Sequence, residues 1–275
     1  LDTTPLFEAL PKVLVYASTQ LVVGISTARL LLWQASRRAV DKSDILERRL
    51  VRIARIATSL ILAALLARLA AHTFVSMGDL HAESVRLIAL DSRWGSSWRI
   101  QISAAILQLG AGFALVKGGK SGWFAWIAAS VFLSLTLPLL GHAGDSLLRF
   151  VVHSTHLLAT SVWLGTLAVI VLLPATHIIP EFSPIALLCA PVTVITGTVL
   201  AFLYVQTPEN LYATVYGQTL LLKIGLFAGI LGCGWANWRR VRLGGDAPRL
   251  TLRAELLFAA SVVIVTGILT EMAHP

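Results

Sequence analysis

Seven histidines, two methionines and two cysteines in 275 residues are the side chains here that could hold a soft or borderline metal. His153 and His156 stand three apart within an apolar stretch, so on a helix they share a face and can converge on one ion. His72, His81, His142 and His274, with the two methionines Met77 and Met272, all fall at or near the ends of apolar stretches. Imidazole and thioether together suit copper, and the thioether favours Cu(I). Cys189 and Cys233 give neither a disulfide framework nor a zinc-finger spacing. They read as small apolar filler, with an inner way-station for a soft cation as the alternative.

The elements that must position these groups follow from composition. Hydrophobic residues make up 56% and charged residues 13%, about half the charged share of an ordinary soluble domain, and mean hydropathy is +0.79. So few charges cannot cover the surface of a water-soluble fold of this length. The fold class is all-α: a polytopic helical bundle, read as one integral membrane domain over 1–275. A crossing needs roughly 20 apolar residues, and eight such runs are present: 11–34, 56–77, 99–117, 122–140, 148–173, 184–206, 217–237 and 252–272. Punctuation between them is clear at Lys117 to Gly122, Pro180 to Pro184, Thr207 to Asn210 and Gly244 to Pro248. No internal repeat or low-complexity segment is evident. No short apolar stretch with an A-x-A site is read near Leu1, so no signal peptide is expected in the sequence shown.

The net charge of +8 sorts by loop. Arg37, Arg38, Lys42, Arg48, Arg49, Arg52 and Arg55 lie in the first loop, Lys117 and Lys120 in the third, and Arg239, Arg240, Arg242 and Arg249 in the seventh. These odd-numbered loops share one side, which the positive-inside rule makes cytoplasmic. That distribution accounts for the basic balance without nucleic acid, which is not expected as a partner; the lipid bilayer is. Both termini then face outward. On that map every histidine but His177 is on the outer half, and both methionines are at outer span ends. At 1.5 Å per residue His156 lies roughly 10–14 Å below the outer helix end, a depth at which a polar group should face the bundle interior. Arg68, one turn deeper than His72, should pair with a carboxylate or carbonyl. Lys223 and Glu271 can pair or snorkel, Asn237 and Glu255 could tie the last two spans together, and the eight tryptophans read mostly as interfacial anchors.

Several local patterns then line up: Gly141-His142-Ala143, His156-Leu157-Leu158-Ala159 with Trp163-Leu164-Gly165 and Leu167, Thr196-Gly197, and Tyr216-Gly217 with Leu220, Leu221, Lys223 and Asn237. In this order and spacing they resemble the copper resistance D (CopD) family of bacterial inner-membrane proteins. The match is most specific over about 141–240, 141–272 is the part most like the family, and the first four spans agree in layout. The resemblance implies a multi-pass protein of the bacterial inner membrane. It implies handling of copper, Cu(I) or Cu(II), passed from the periplasmic side, with a small periplasmic copper-carrier protein as partner. The family commonly has an acidic residue three before the histidine of the fifth span; here that place is His153. A carboxylate–imidazole pair thus becomes two imidazoles, which favours soft or borderline metals and weakens a proton-coupled role.

The leading expectation is a copper-binding uptake or transport protein of copper resistance and homeostasis, not an enzyme. Its central ligands are His72, His142, His153 and His156, with Met77, His81, Met272 and His274 as an outer collecting shell. The alternative is a membrane b-type cytochrome or a redox-enzyme assembly factor, with the same histidines as axial ligands of haem b. Against it, the inner half has no histidine within a span to hold a second haem level. No G-x-S-x-G, H-E-x-x-H or G-x-x-x-x-G-K-[ST] occurs, so no nucleophile elbow, zincin helix or phosphate loop is marked.

Overall fold

In the computed structural model residues 4–36, 43–116, 119–140, 146–272 and 275 are described, and His142 and His274 lie outside them. Among the described residues there are helices and turns and no strands. That is what lipid demands, because a helix satisfies its backbone polar groups within one segment. Eight helical stretches are long and apolar enough to cross a bilayer: Phe7–Gln34, Ile45–Met77, Arg93–Val116, Lys120–Leu139, Leu147–Leu172, Thr176–Val205, Val215–Arg242 and Arg249–Leu269.

The first four crossings are α1 (Thr4–Ser36), α2 (Ser43–Met77), α4 (Arg93–Val116) and α5 (Lys120–Thr136). Between α2 and α4 the chain makes the short α3 (Ala82–Arg86) and one π turn over Leu87–Asp91. The fifth crossing is α6 (Leu147–Thr160), a π turn over Ser161–Gly165, and α7 (Thr166–Leu172). Then follow α8 (Ile179–Val205), the short α9 (Pro208–Ala213), α10 (Val215–Arg242) and α11 (Arg249–Leu269).

α1 is the hub, packing against α2, α5, the π turn of the fifth crossing, α7 and α11. Its closest approach is to that π turn. A Cβ on Gly165 would stand 1.9 Å from the Gln20 carbonyl oxygen, and one on Gly24 would stand 2.0 Å from the Gly165 carbonyl carbon. No side chain fits there, so paired glycines let the two backbones touch, as small residues do at helix crossings in membranes. The fifth crossing, which carries His153 and His156, is thereby fixed against α1. α6 itself packs on α8, and α10 packs on α11.

Three sequence expectations are revised. The arginines at 48, 49, 52 and 55 are not in a loop, because α2 begins at Ser43. At about 50 Å for 35 residues, this helix outruns the roughly 30 Å hydrocarbon core, so its charged first turns stand clear of the apolar layer and stay helical. The tryptophans are not chiefly interfacial: Trp98, Trp123, Trp126 and Trp163 are buried, and the Trp98 indole N–H donates to the Leu65 carbonyl at 3.0 Å. Helix–helix packing, not the interface, holds them. Glu271 pairs not with Lys223 but with Lys12 and Arg68.

Other expectations hold. At the end of the bundle opposite the histidines, the Thr251 hydroxyl donates to Asn237 Oδ1 at 2.5 Å, and Asn237 Nδ2 donates to Glu255 Oε2 at 2.9 Å. Asn237 and Glu255 are buried, so this chain of hydrogen bonds ties α10 to α11 through groups that would be costly unpaired. Cys189 is buried and Cys233 half-buried, and both are free thiols.

Candidate metal centre

Two histidine stations occupy the end of the bundle where α1, α4, α6 and α10 begin and α2, α8 and α11 finish. The first is built on α2. His72 Nδ1 lies 2.8 Å from Glu8 Oε1 of α1, and the ring stacks on Trp94 of α4, with centroids 4.1 Å apart and planes 14° off parallel. A carboxylate oxygen accepts, so Nδ1 carries the hydrogen, and it is Nε2 that offers a lone pair whenever the ring is neutral. Ring, carboxylate and indole thus fix both orientation and tautomer. A carboxylate behind an imidazole is the arrangement that orients histidines toward metals.

Beneath this station lies a buried charge cluster. Lys12 Nζ is 2.7 Å from Glu271 Oε1 and donates to the Thr270 carbonyl at 3.0 Å. Arg68 Nη2 is 3.6 Å from the same carboxylate oxygen, and the guanidinium lies 5.9 Å from the Trp94 ring centre. Lys12 and Arg68 are both 6% exposed. Two cations face two carboxylates, Glu8 and Glu271, so the cluster is balanced and Arg68 does not confront His72 as an uncompensated charge. The expectation that Arg68 pairs with a carboxylate or carbonyl holds, the partner being Glu271.

The second station is on α6. His156 Nδ1 is 3.0 Å from Thr196 Oγ1 of α8. The Thr196 hydroxyl spends its one proton on the Val192 carbonyl at 2.6 Å, so toward His156 it accepts. With Thr196 accepting, Nδ1 carries the hydrogen and the neutral ring keeps a lone pair on Nε2; the Thr193 backbone is a further hydrogen-bond partner of this ring. Gly197, next along α8, makes room for the ring: a Cβ there would lie 3.2 Å from His156 Cε1. The Thr196-Gly197 pair seen in the sequence is thus the seat of this imidazole, one residue holding it and the other admitting it. His153, one turn toward the helix start, meets Tyr204 of α8 edge-on at 5.7 Å, and Arg149 stacks over the same tyrosine at 5.7 Å. Lys223 of α10 is within electrostatic reach of His156.

Of the remaining expected ligands, Met77, His81 and Met272 fall among the described residues. Met272 packs against the cluster of Tyr204, Val205, Tyr216, Leu220 and Leu269, which contains the tyrosine that His153 contacts. Met77, 41% exposed, closes α2. His81 is exposed, and its backbone N–H donates to Asp79 Oδ1 at 3.0 Å. The Ser84 side chain and that backbone N–H hold the Asp79 carboxyl below the usual carboxylate range, so a fixed negative charge stands beside His81. The structure brings His153 and His156 onto one face and gives His72 its own partners. Among the described residues no three His, Cys, Asp or Glu side chains form a ready-made metal cage. Sequence reasoning missed Glu8, Thr196 as a hydrogen-bond acceptor, and Lys12. Glu8 and Lys12 sit at the edge of the first apolar run, where charges read as flanks.

A polytopic helical membrane protein with paired imidazoles at one end is the class this architecture defines. The chain matches the family "Copper resistance protein D" over residues 176–270 and "Copper resistance protein D-like, N-terminal domain" over residues 6–149. The chain belongs to the copper resistance protein D family, which makes it a copper-related, multi-pass membrane protein. It is similar to the copper transport protein CutJ of Bacillus subtilis (strain 168), with 29% identity over 212 residues, covering 70% of this chain and 39% of that relative. The chain thus spans about two fifths of the length of the curated relative it matches. No solved structure matches it significantly.

Proposed function

We propose that this protein takes up copper from the periplasmic side of the bacterial inner membrane, that it is a transporter and not an enzyme, and that it binds the ion at the His153/His156 station. The observation that carries this is the His156–Thr196–Val192 chain of hydrogen bonds, which leaves Nε2 with its lone pair one helical turn from a second imidazole. His72, set in the same way by Glu8, is a second ligand station. His142 completes the central set. Met77, His81, Met272 and His274 collect the ion above it, and a small periplasmic copper-carrier protein delivers it. Both termini are periplasmic, since the arginine-rich ends of α2 and α10 then face the cytoplasm. The single bundle 1–275 serves as one domain.

The test is metal stoichiometry on purified protein, with Cu(I) and Cu(II) supplied separately. Replacing both histidines, His153→Ala with His156→Ala, removes most of the high-affinity copper; full retention overturns the assignment. A strong Soret band in the parent's absorption spectrum would overturn the copper reading in favour of haem b.

A further inference from the structure

The end of the bundle away from the histidines carries a groove of about 870 Å³ between α2 and α4. Its upper wall is Arg48, Arg52 and Arg55, and its floor includes Leu60, Ala63 and Leu115. The pattern follows from helical spacing: positions 48, 52 and 55 are i, i+4 and i+7 on one face of α2, and 56, 60 and 63 continue that stripe as apolar residues. Arg48, Arg52 and Arg55 are all exposed, as is the apolar Leu60 below them. Arg55 stands about 25 Å along α2 from His72 at 1.5 Å per residue. That nearly spans the hydrocarbon core, so the arginines sit at the headgroup level of the opposite face and the apolar floor lies at the level of acyl chains.

Nothing within the groove neutralises these guanidiniums. Glu47, the one carboxylate in its lining, is occupied on its far side. Arg29 reaches it at 3.3 Å and the Trp123 indole N–H donates to it at 2.9 Å, with Arg29 lying 5.2 Å from the Trp123 ring centre. Among the described residues Arg48, Arg52 and Arg55 make no ion pair.

We infer that this groove binds one anionic phospholipid, its phosphodiester held by Arg48, Arg52 and Arg55 and an acyl chain lying on Leu60, Ala63 and Leu115. Charge complementarity selects the occupant. Three unpaired guanidiniums in a fork geometry suit phosphate oxygens, basic recesses between membrane helices hold anionic headgroups, and an apolar floor has no use for a free inorganic ion. The inference is independent of where copper binds.

Native mass spectrometry of the full chain, released from detergent with defined lipids, tests it. Phosphatidylglycerol should be retained roughly a hundredfold more strongly than phosphatidylcholine. The variant Arg48→Gln, Arg52→Gln, Arg55→Gln should lose that preference. A second variant, Leu60→Trp with Ala63→Trp, keeps the charge but fills the floor, and it should weaken retention as well. Equal retention of both lipids by the parent overturns the inference, and that comparison stands even where a variant fails to insert. Unchanged phosphatidylglycerol binding in the arginine variant overturns it too. So does glycerol phosphate competing as well as the intact lipid, which would mark a phosphate site without a lipid.

Discussion

The two histidine stations solve the same positioning problem with opposite means. His72 is held by ions: a carboxylate behind it, and beneath it Lys12 of α1, Arg68 of α2 and Glu271 just past the end of α11. His156 is held by a neutral hydroxyl and by space, from Thr196 and Gly197 of one neighbouring helix. An ionic seat couples its ring to the charge balance of three helices. The neutral seat couples its ring chiefly to packing, with Lys223 of α10 the charged group within electrostatic reach. Changes in charge should therefore act on the first station through stability, and changes in shape or hydrogen bonding should act on the second through metal affinity.

The sharpest break of this contrast is Glu271→Ala. It leaves Lys12 and Arg68 facing each other in a buried place without their common carboxylate. Removing one partner of a buried ion pair costs roughly 3–5 kcal/mol, so a large drop in the thermal midpoint in detergent is expected. Copper bound per folded molecule at the second station should be little changed. Unaltered thermal stability would show that the cluster is not the ionic strut described.

A smaller loss is expected from Gly165→Ala. The added methyl would stand 1.9 Å from the Gln20 carbonyl oxygen, and neither backbone can yield without separating α1 from the fifth crossing. Overpacking of this kind costs about 1–3 kcal/mol. Because α1 also carries Glu8, both stations should shift. The check is chemical denaturation alongside copper titration, and a variant with the parent's stability would contradict the backbone contact.

Much of the fold was legible before any geometry. All eight crossings follow from apolar runs against bilayer thickness, and Arg68 within a span was expected to pair with a carboxylate or carbonyl, of which the structure supplies the carboxylate. Two kinds of information were hidden. Partners across the chain, such as Lys12 with Glu271 or Glu8 with His72, depend on which helices adjoin, and no local spacing encodes that. The helical state of 43–55 was hidden because hydropathy reports where lipid is, not where a helix begins. At the second station the sequence showed Thr196-Gly197 as a pattern, but its purpose needed the contact with His156. His142 and His274 lie outside the described residues, so their place in the ligand set rests on sequence alone.

The hydroxyl seat gives a subtler comparison. Thr196→Val keeps the volume but removes the acceptor, freeing the His156 ring to turn and change tautomer. Loss of a partner that orients a metal-binding histidine typically costs 10–100-fold in affinity, and Thr196→Ser should restore most of it. At the first station Glu8→Gln keeps an acceptor oxygen for His72, so the tautomer survives and a lesser effect is expected. Competition titration with a Cu(I) chelator separates the outcomes. Equal losses from Thr196→Val and Glu8→Gln would mean that charge and hydrogen bonding matter alike at both stations, and the contrast would fall.

The smallest effect concerns entry, where the two methionines differ in setting. Met77 is exposed at the C-terminal end of α2, whereas Met272 packs against the cluster that contains Tyr204 and Tyr216. Thioethers bind Cu(I) without first losing a proton, while an imidazole must be neutral to bind. An ordinary imidazole, with a pKa of about 6.5, gives up its metal-binding lone pair to a proton in mild acid, whereas a thioether does not. Met77→Leu with Met272→Leu should therefore slow Cu(I) loading a few-fold, more at pH 5.5 than at pH 7, with the final amount bound nearly unchanged. Since Met272 packs in the cluster that includes Tyr204, the ring His153 meets, Met272→Leu alone should account for most of the slowing, and Met77→Leu alone for little. Stopped-flow loading at both pH values decides the matter. If the double variant loads at the parent rate throughout, the methionines serve as apolar packing at helix ends, and capture begins at the histidines themselves.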